Sequence, residues 1–312
     1  MRKALIIGSE GQDGTLLKLM LQSKHYEVWG LGRNKGKGLN GLAGYIPCDL
    51  ANDDFTILAN FIASEKPGEV YYVAAFHHSS QEDSDTDFEF IEKSVKINQV
   101  GFIRLLEICR LHHPSCRIFY TSSSLIFSGT DQPLQNEKTT PEPRCIYSVT
   151  KCAAMEAAKY YRSVYNLFVS IGIMYNHESI YRKDYFLSKK IIDETKQLLN
   201  KTIKSIKIGD LSAETDWGYA PDYVEAMWHI LQLSEPGSFI ISSGEGHTVQ
   251  NWFEVLFDHI KLDWTKYVVE DRALLRRTKP ALIGDNEKLR STGWAPDTTF
   301  KEMIIRMFNN EI

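Results

Sequence analysis

The sequence has few cysteines, no long apolar run and no excess of positive charge. Its 312 residues include five cysteines, an odd number without a C-x-x-C pair, so we expect free thiols rather than a metal site. No apolar run is long enough to span a bilayer, and no signal-peptide pattern opens the chain, so we expect a cytoplasmic protein with no membrane partner. A net charge of -4 without a basic stripe argues against nucleic acid as a partner.

What the sequence does have is a short apolar run at 4–7 that breaks into three glycines, Gly8, Gly11 and Gly14. The run has the length and the β-branched content of a buried strand, and apolar residues recur at helical spacing after Gly14. A strand, a glycine turn and a helix in this order suit a dinucleotide, because glycines let the backbone approach a pyrophosphate at a helix N-terminus. The G-x-x-G-x-x-G spacing alone is a loose pattern, and its position directly after the first strand gives it weight.

The end of the second predicted strand, residues 27–30, indicates which dinucleotide to expect. An acid there would bind the ribose 2′-hydroxyl of NAD, whereas an arginine would accept the 2′-phosphate of NADP. The sequence has no acid in the residues that follow this strand, and it has Arg33. NADP is therefore predicted in preference to NAD, and a solvated loop charge is the alternative interpretation of Arg33.

Further strands predicted at 45–46, 69–75 and 117–121 alternate with helices. This alternation predicts an α/β fold of the Rossmann type, with a doubly wound parallel sheet and right-handed crossovers. The division is a dinucleotide-binding domain at 1–175 and a smaller mixed α/β substrate lobe at 176–312. Ligands bind at the carboxyl edge of such sheets, where His77 and His78 follow the fourth strand, and we expect them to line the cleft rather than bind a metal.

Three serines at 122–124 end the fifth strand, and their hydroxyls suit a substrate hydroxyl or carbonyl group. Tyr147 and Lys151 follow, four residues apart on one face of a predicted helix. A lysine ammonium near a phenol lowers the pKa of the phenol and makes it usable as an acid or base near neutral pH. Y-x-x-x-K is common by chance, but in this context it indicates a catalytic pair.

With these residues the chain resembles the extended short-chain dehydrogenase/reductases, most of which modify the sugar of a nucleotide-sugar. The closer resemblance is to the GDP-mannose 4,6-dehydratases, and it runs from the first strand to Trp294. The stretches that carry it are Gln12 with Asp13 in the glycine turn, Ala74 and Ala75 with His78, Tyr147 with Lys151, Tyr-Asn-His-Glu-Ser at 175–179, and the segment 216–228 that begins Asp-Trp-Gly.

The resemblance implies a redox mechanism at the sugar. Tyr147 would remove the proton of the 4-hydroxyl while the C4 hydride passes to NADP, Lys151 would hold the nicotinamide ribose, and Ser123, beside Ser124, would bind the 4-oxygen. The 4-keto sugar would then lose its C5 proton and its C6 hydroxyl, and the hydride would return to C6. The cofactor would finish as it began.

The resemblance also implies two sets of contacts and an assembly. The cofactor contacts would be Gly8, Gly11, Gln12, Asp13, Gly14, Arg33, Asp49, Leu50, Ala74 and Ala75. The substrate contacts would be His78, Asn176, Lys190, Trp217, Arg276 and Arg277. Asn176 would contact the diphosphate, and Trp217 could stack on the base or pack in the lobe. The family pairs its subunits by helix bundling, so we expect a homodimer or homotetramer through helices at 90–111 and 152–161, and we expect elements of the second lobe to return to the first sheet.

Two departures from the family pattern leave the reaction open. The dehydratases carry a glutamate that takes the C5 proton where this chain has Leu125, and His78 or Glu178 would have to replace it. They also carry an arginine directly before Asp-Trp-Gly, where this chain has Thr215, which puts the GDP linkage in doubt. The first hypothesis is a GDP-sugar 4,6-dehydratase, the second is an NADPH-dependent C4 reductase or dehydrogenase of a nucleotide-sugar, and the third is a binding protein without activity.

Overall fold

The computed structural model describes residues 2–33, 41–77, 88–274 and 281–312. The strands are β1 (Lys3–Ile7), β2 (Glu27–Gly32), β3 (Gly44–Pro47), β4 (Glu69–Tyr72), β5 (Arg117–Ser123), β6 (Leu134–Gln135), β7 (Val169–Met174), β8 (Asn176–Glu178), β9 (Ile206–Ile208), β10 (Glu214–Tyr219), β11 (Ser238–Ile241), β12 (Gly246–Thr248), β13 (Val268–Glu270) and β14 (Ile283–Gly284).

The α-helices are α1 (Gln12–Ser23), α2 (Thr56–Glu65), α3 (Phe88–Val95), α4 (Gly101–His112), α5 (Ile146–Tyr165), α6 (Leu187–Leu199), α7 (Ala220–Gln232), α8 (Val249–His259), α9 (Glu287–Arg290) and α10 (Phe300–Asn309). A π-helical segment, Lys96–Val100, joins α3 to α4, and a 3-10 turn, Ser124–Phe127, follows β5. Within the described ranges, no helix combines the length and the apolarity needed to cross a bilayer.

Seven strands form the main sheet in the order β11-β7-β5-β4-β1-β2-β3, and every neighbouring pair is parallel. The inner strands are buried on both faces, as a parallel sheet between helices requires, and this explains the unbroken apolar run of β1. One core cluster, which includes Phe102 and Ala154, packs α4 and α5 on one face. A second, which includes Leu17 and Val224, packs α1 and α7 on the other. The Rossmann-type, doubly wound fold predicted from the sequence is confirmed.

The second lobe has its own small sheets and its own core. Strand β10 pairs with β12 and β8, and β9 pairs with β13. The core cluster of this lobe includes Ile191, Trp217, Trp252 and Met303. Two elements from beyond residue 176 belong to the first sheet: β11 extends it next to β7, and α7 packs on its face beside α1. The division at 175 therefore follows the chain only approximately.

Three local features differ from the sequence-based prediction. Strand β7 was not predicted, because Gly172 interrupts its apolar pattern, and the structure needs this glycine since an added Cβ would lie 2.5 Å from the ring of Phe119. The helix predicted over 90–111 is divided by the π-helical segment Lys96–Val100. The fourth strand, predicted over 69–75, ends earlier, at Tyr72.

Candidate active site

The predicted catalytic side chains lie at the carboxyl edge of the main sheet. Ser123 is the last residue of β5, and Tyr147 is the second residue of α5. Helix α5 begins after Cys145, where the backbone N–H of Cys145 donates to Ser148 Oγ in a capping box. This cap fixes the first turn of the helix and therefore the position of Tyr147 next to the strand end.

Ser123, Tyr147 and Lys151 lie together as the sequence predicts. The Nζ atom of Lys151 is 5.5 Å from the centroid of the Tyr147 ring and donates a hydrogen bond to Thr121 O at 2.7 Å. The side chain of Ser123 lies near enough to the Tyr147 phenol to lower its pKa, and its Oγ accepts the backbone N–H of Leu125 at 3.2 Å. Ser124 is buried in the 3-10 turn, so Ser123 is the serine that reaches the phenol.

The protonation states in the free enzyme differ from the prediction. Burial raises the pKa of Tyr147, and the nearby side chain of Ser123 offsets only part of this effect. Burial also lowers the pKa of Lys151 to about 7, although the charge of Asp13 opposes it. Burial outweighs any effect of Lys151 on the pKa of Tyr147, because the Lys151 amine is buried against Thr121 O and is only partly charged near neutral pH. The free enzyme therefore holds Tyr147 as a neutral phenol, ready to donate to the sugar 4-oxygen.

Asn98, in the π-helical segment, holds the backbone that leads from β4 into the cleft. Its Oδ1 accepts the N–H of Phe76 at 2.9 Å, and its Nδ2 donates to Phe76 O at 3.0 Å and to Thr150 Oγ1 at 3.2 Å. Asn98 is fully buried, and π-helical segments often occur at functional sites. These hydrogen bonds of the Asn98 amide, called the Asn98 fork below, fix the backbone of Phe76 relative to α5. The next residue, His77, therefore lies against Tyr147, with 4.4 Å between the ring centroids.

The three glycines of the turn differ in whether a side chain would clash with the protein itself or only with a bound dinucleotide. Gly8 has φ +94°, and a Cβ there would lie 2.7 Å from Ala74 N, while a Cβ on Gly14 would clash with Gly8 O. Those two glycines are required by the fold itself. Gly11 is the N-cap of α1, and a Cβ there would meet protein only at an ordinary 3.5 Å. Packing does not demand a glycine at 11, whereas a pyrophosphate at the start of α1 would.

An ion pair joins this turn to the second lobe. Asp13 Oδ1 lies 2.9 Å from His177 Nε2, and His177 Nδ1 lies 2.7 Å from Tyr175 O. Gln12 strengthens the link, because its Nε2 donates to His177 O at 3.1 Å and its Oε1 accepts Ser179 Oγ–H at 2.9 Å. Sequence similarity pointed to Gln12 and Asp13 as cofactor contacts. The structure shows in addition that both bind the Asn-His-Glu-Ser strand.

A carboxylate that the sequence analysis missed lies at the end of β2. Glu10 Oε1 accepts the phenol of Tyr45 at 2.6 Å, and a Cβ on Gly32 would lie 3.4 Å from the same oxygen. The sequence did not reveal this carboxylate because Glu10 precedes β2 in the chain and is separated from it by helix α1. Arg33, the residue on which the NADP prediction depends, follows β2 and is exposed.

The other predicted cofactor contacts lie along the same edge. Asp49 Oδ1 accepts the N–H of Ala51 at 3.0 Å in a tight turn after β3, and Leu50 packs into the core with 9% exposed. Ala74 lies against Gly8, and Ala75 is exposed. These positions follow β3 and β4 in the chain, and their contact with a cofactor stays a prediction.

The predicted substrate contacts are only partly brought together. Asn176 is exposed at the start of β8, and Lys190 is half-buried in α6 with its Nζ 3.3 Å from Lys207 O. Trp217 is 5% exposed and packs edge-on against Trp252 in the core of the second lobe, so the packing alternative accounts for it better than base stacking. His78, Arg276 and Arg277 lie outside the described residues.

The family model for GDP-mannose 4,6 dehydratase matches residues 5–307. GDP-mannose 4,6 dehydratase 2 of Arabidopsis thaliana is 33% identical over 328 residues, which cover 99% of this chain and 86% of that protein.

Solved structures share the fold. The dTDP-glucose 4,6-dehydratase of Bacillus anthracis, in complex with NAD, has a TM-score of 0.82 at 18% identity, covering 99% of this chain and 96% of that one. RMD from Pseudomonas aeruginosa, complexed with NADPH, has a TM-score of 0.81 at 18% identity and covers 99% of each chain. The family model matches nearly the whole of this chain. The chain therefore belongs to the GDP-mannose 4,6-dehydratase family and is a nucleotide-sugar dehydratase-like enzyme.

Proposed function

We propose that this enzyme removes water from a GDP-linked hexose after a transient oxidation at C4. The observation that carries the proposal is the contact of Ser123 with Tyr147, one helical turn from the buried Lys151 and beside the glycine turn. The family match over residues 5–307 supports GDP as the nucleotide. Thr215, which is half-buried on β10, offers no cation to the diphosphate. The identity of the nucleotide therefore has to be tested directly.

The described residues can perform the proton transfers at C4. A nicotinamide dinucleotide, when bound, supplies the hydride acceptor. Ser123 Oγ and the Tyr147 hydroxyl would hold the 4-oxygen. Tyr147 would first pass its own proton to neutral Lys151 and would then, as a phenolate, take the proton of the sugar hydroxyl. Lys151 lies where it can stabilise the phenolate, and its pKa of about 7 lets it exchange a proton near neutral pH. The buried surroundings strengthen each of these electrostatic contacts.

The sequence-based proposal for the cofactor is NADP, which rests on Arg33 at the end of β2. An arginine at this point suits a 2′-phosphate. The carboxylate of Glu10 at the same strand end opposes that choice.

The elimination needs a base for the C5 proton, and Leu125 cannot supply one. Leu125 is half-buried and packs against the first core cluster. Glu178, one alternative, is 2% exposed, and its carboxylate already binds Ser188 and pairs with Arg182 Nε at 3.0 Å. Its burial and its partners leave Glu178 poorly placed to reach a sugar.

We propose that His77 takes the C5 proton instead. C5 is bonded to C4, whose oxygen would bind the Tyr147 phenol, so the base must lie beside that phenol. The ring of His77 lies 4.4 Å from the Tyr147 ring, and the Asn98 fork on Phe76 fixes the backbone before it. Histidine is also the most common general base in enzymes.

A pair of variants tests this base. His77→Gln should leave dinucleotide binding and C4 oxidation in place but slow water loss by about 10²–10⁴-fold, the usual effect of a positioned base. Leu125→Glu in that background should restore water loss, because it returns a carboxylate to the family's position. His259→Gln, at the exposed end of α8, is the matched control and should have no effect. Unchanged water loss in His77→Gln would reject His77 as the base.

Leu125 also supports the alternative function, a C4 reductase or dehydrogenase of a nucleotide-sugar. Such an enzyme needs Ser123, Tyr147 and Lys151 but no base for C5. The two functions differ in their cofactor balance, because a reductase consumes reduced nicotinamide whereas a dehydratase returns it unchanged.

We further propose a homodimer, or a dimer of dimers, formed through α5. Val149, Tyr160 and Val164 lie on one side of this helix and are 45%, 52% and 54% exposed. Large apolar side chains exposed in a row indicate a protein interface. Val164→Glu should lower the mass measured by light scattering, whereas a wild-type monomer would contradict the proposal.

The cytoplasm is the proposed location, because all five cysteines are free thiols in the structure, as is usual in a reducing compartment.

Product analysis tests the function as a whole. The purified enzyme is incubated with GDP-mannose and with a panel of other nucleotide-hexoses and nucleotide-heptoses, while product mass and reduced nicotinamide are followed together. Loss of one water without a net change in the cofactor supports the dehydratase. Consumption of reduced nicotinamide with a 4-keto sugar, and no loss of water, supports the reductase.

A further inference from the structure

The carboxyl end of β2 is where the adenosine ribose of a dinucleotide lies in a Rossmann sheet, and the fold brings an acid there from the glycine turn. The backbone N–H groups of Gly8 and Ser9 donate to Leu31 O at 2.9 and 3.4 Å, so the turn folds back over the end of β2. The next residue, Glu10, therefore lies beside Gly32, whose added Cβ would be 3.3 Å from the carboxyl carbon of Glu10.

A neighbouring strand fixes this carboxylate. Tyr45 lies on β3 opposite Gly30 and donates its phenol to Glu10 Oε1 at 2.6 Å. Both side chains are half-buried, so the charge of Glu10 is screened less than a fully exposed charge. Arg33 is exposed, and an exposed cation contributes little to the binding of an anion once water and salt screen it.

We infer that Glu10 makes this enzyme prefer NAD to NADP. A carboxylate only accepts hydrogen bonds, so it matches the donor of a ribose 2′-hydroxyl. It repels a 2′-phosphate, a group with roughly two negative charges near neutral pH. The preference predicted from Arg33 is thereby reversed, because the fold places an acid where the order of the sequence showed none. The inference rests on the proposed function only in that the enzyme binds a nicotinamide dinucleotide.

Binding of the two dinucleotides to the full-length protein tests this inference without any turnover. Titration calorimetry with NAD⁺ and with NADP⁺ should give at least about tenfold tighter binding of NAD⁺, the effect of one poorly screened charge pair at a few ångströms. Glu10→Gln keeps the size of the side chain and removes its charge. It should bring the two dissociation constants to within about threefold of each other, mainly by tightening NADP⁺.

Two further variants separate the charge of Glu10 from a general effect. Glu27→Gln removes a carboxylate at the amino end of β2, beside Trp29 and Lys3, and should leave the ratio unchanged. Tyr45→Phe removes the phenol that fixes Glu10 and should lower the ratio without abolishing it.

Each outcome has a distinct meaning. Tighter binding of NADP⁺ by the wild-type protein would overturn the inference, and so would a preference for NAD⁺ that Glu10→Gln leaves intact. Binding of neither dinucleotide would overturn the proposed redox function, and the inference with it.

Discussion

Removal of one partner of the Asp13–His177 pair should destabilise the protein strongly, because the pair is charged and largely buried. The side chains are 18% and 11% exposed. Burial would raise the pKa of Asp13, but the charge and the hydrogen bond of His177 outweigh it and lower that pKa. Burial would lower the pKa of His177, and Asp13 outweighs it in the same way and raises that pKa.

The hydrogen bonds identify the charge state of His177. Nε2 faces an Asp13 oxygen at 2.9 Å, and Nδ1 faces the carbonyl oxygen of Tyr175 at 2.7 Å. An ionised carboxylate and a carbonyl can only accept, so both ring nitrogens donate and the ring is an imidazolium. The pair is therefore a salt bridge that ties the glycine turn at the start of α1 to β8.

The perturbations are His177→Gln, Asp13→Asn and the two together. Each single change leaves one buried charge without its partner, which typically costs about 3–5 kcal/mol, and we expect the lower end because both side chains keep some contact with water. The double variant leaves no unpaired charge and should lose clearly less than the sum, with a coupling of about 1–3 kcal/mol. Urea unfolding followed by circular dichroism gives these free energies of unfolding.

The contribution of the pair should depend on pH in a defined direction. The stabilisation from His177, whose pKa is raised on folding, is complete below the ordinary histidine value and is lost as pH rises through the raised value. The stabilisation from Asp13, whose pKa is lowered, is complete above the ordinary aspartate value and is lost as pH falls through the lowered value. The difference between wild type and His177→Gln should thus be largest at about pH 4–6.5 and should shrink at higher pH.

Additive free energies in the double variant would contradict this reasoning, because they would mean that the two side chains do not interact. A difference that grows as pH rises above neutral would contradict the assignment of an imidazolium. Lys3→Met, at the other end of β1, removes partly exposed ion pairs with Glu65 and Glu27; it is the control and should cost less than about 1 kcal/mol.

Three shorter predictions concern the active site. Tyr147→Phe should abolish turnover while dinucleotide binding is retained, because only the hydroxyl that faces Ser123 is lost; retained turnover in the product assay would reject Tyr147 as the acid–base group. Gly11→Ala should weaken dinucleotide binding in calorimetry and leave the thermal midpoint nearly unchanged, since its Cβ would meet protein only at 3.5 Å. Gly14→Ala should instead lower the thermal midpoint, because its Cβ would clash with the backbone at Gly8 and Ser9, and equal midpoints for both variants would contradict this account of the turn.

The parts of the fold that depend on local pattern could be predicted from the sequence. The strand, glycine turn and helix at the amino end, the alternation that follows, and the placement of Tyr147 with Lys151 on one helical face all appear in the structure. These features repeat at spacings of two or three to four residues, so a single sequence displays them.

The parts that depend on contacts between distant segments could not be predicted. The pKa of Tyr147 follows from burial that the whole carboxyl edge creates, and Lys151 is directed to a carbonyl on β5. Glu10 reaches the end of β2 only because the glycine turn is hydrogen-bonded to Leu31, and Trp217 is enclosed by Trp252 from a later helix. Tertiary contacts of this kind leave no periodic signal in the sequence.

The central claim is transient oxidation at C4 followed by loss of water, and GDP-mannose carrying deuterium at C4 tests it most directly. The product is analysed by mass spectrometry and by NMR. We expect a product lighter by one water that has kept the deuterium, now at C6, with no net reduction of the nicotinamide. Product without loss of water, or deuterium recovered on released reduced nicotinamide, would contradict it.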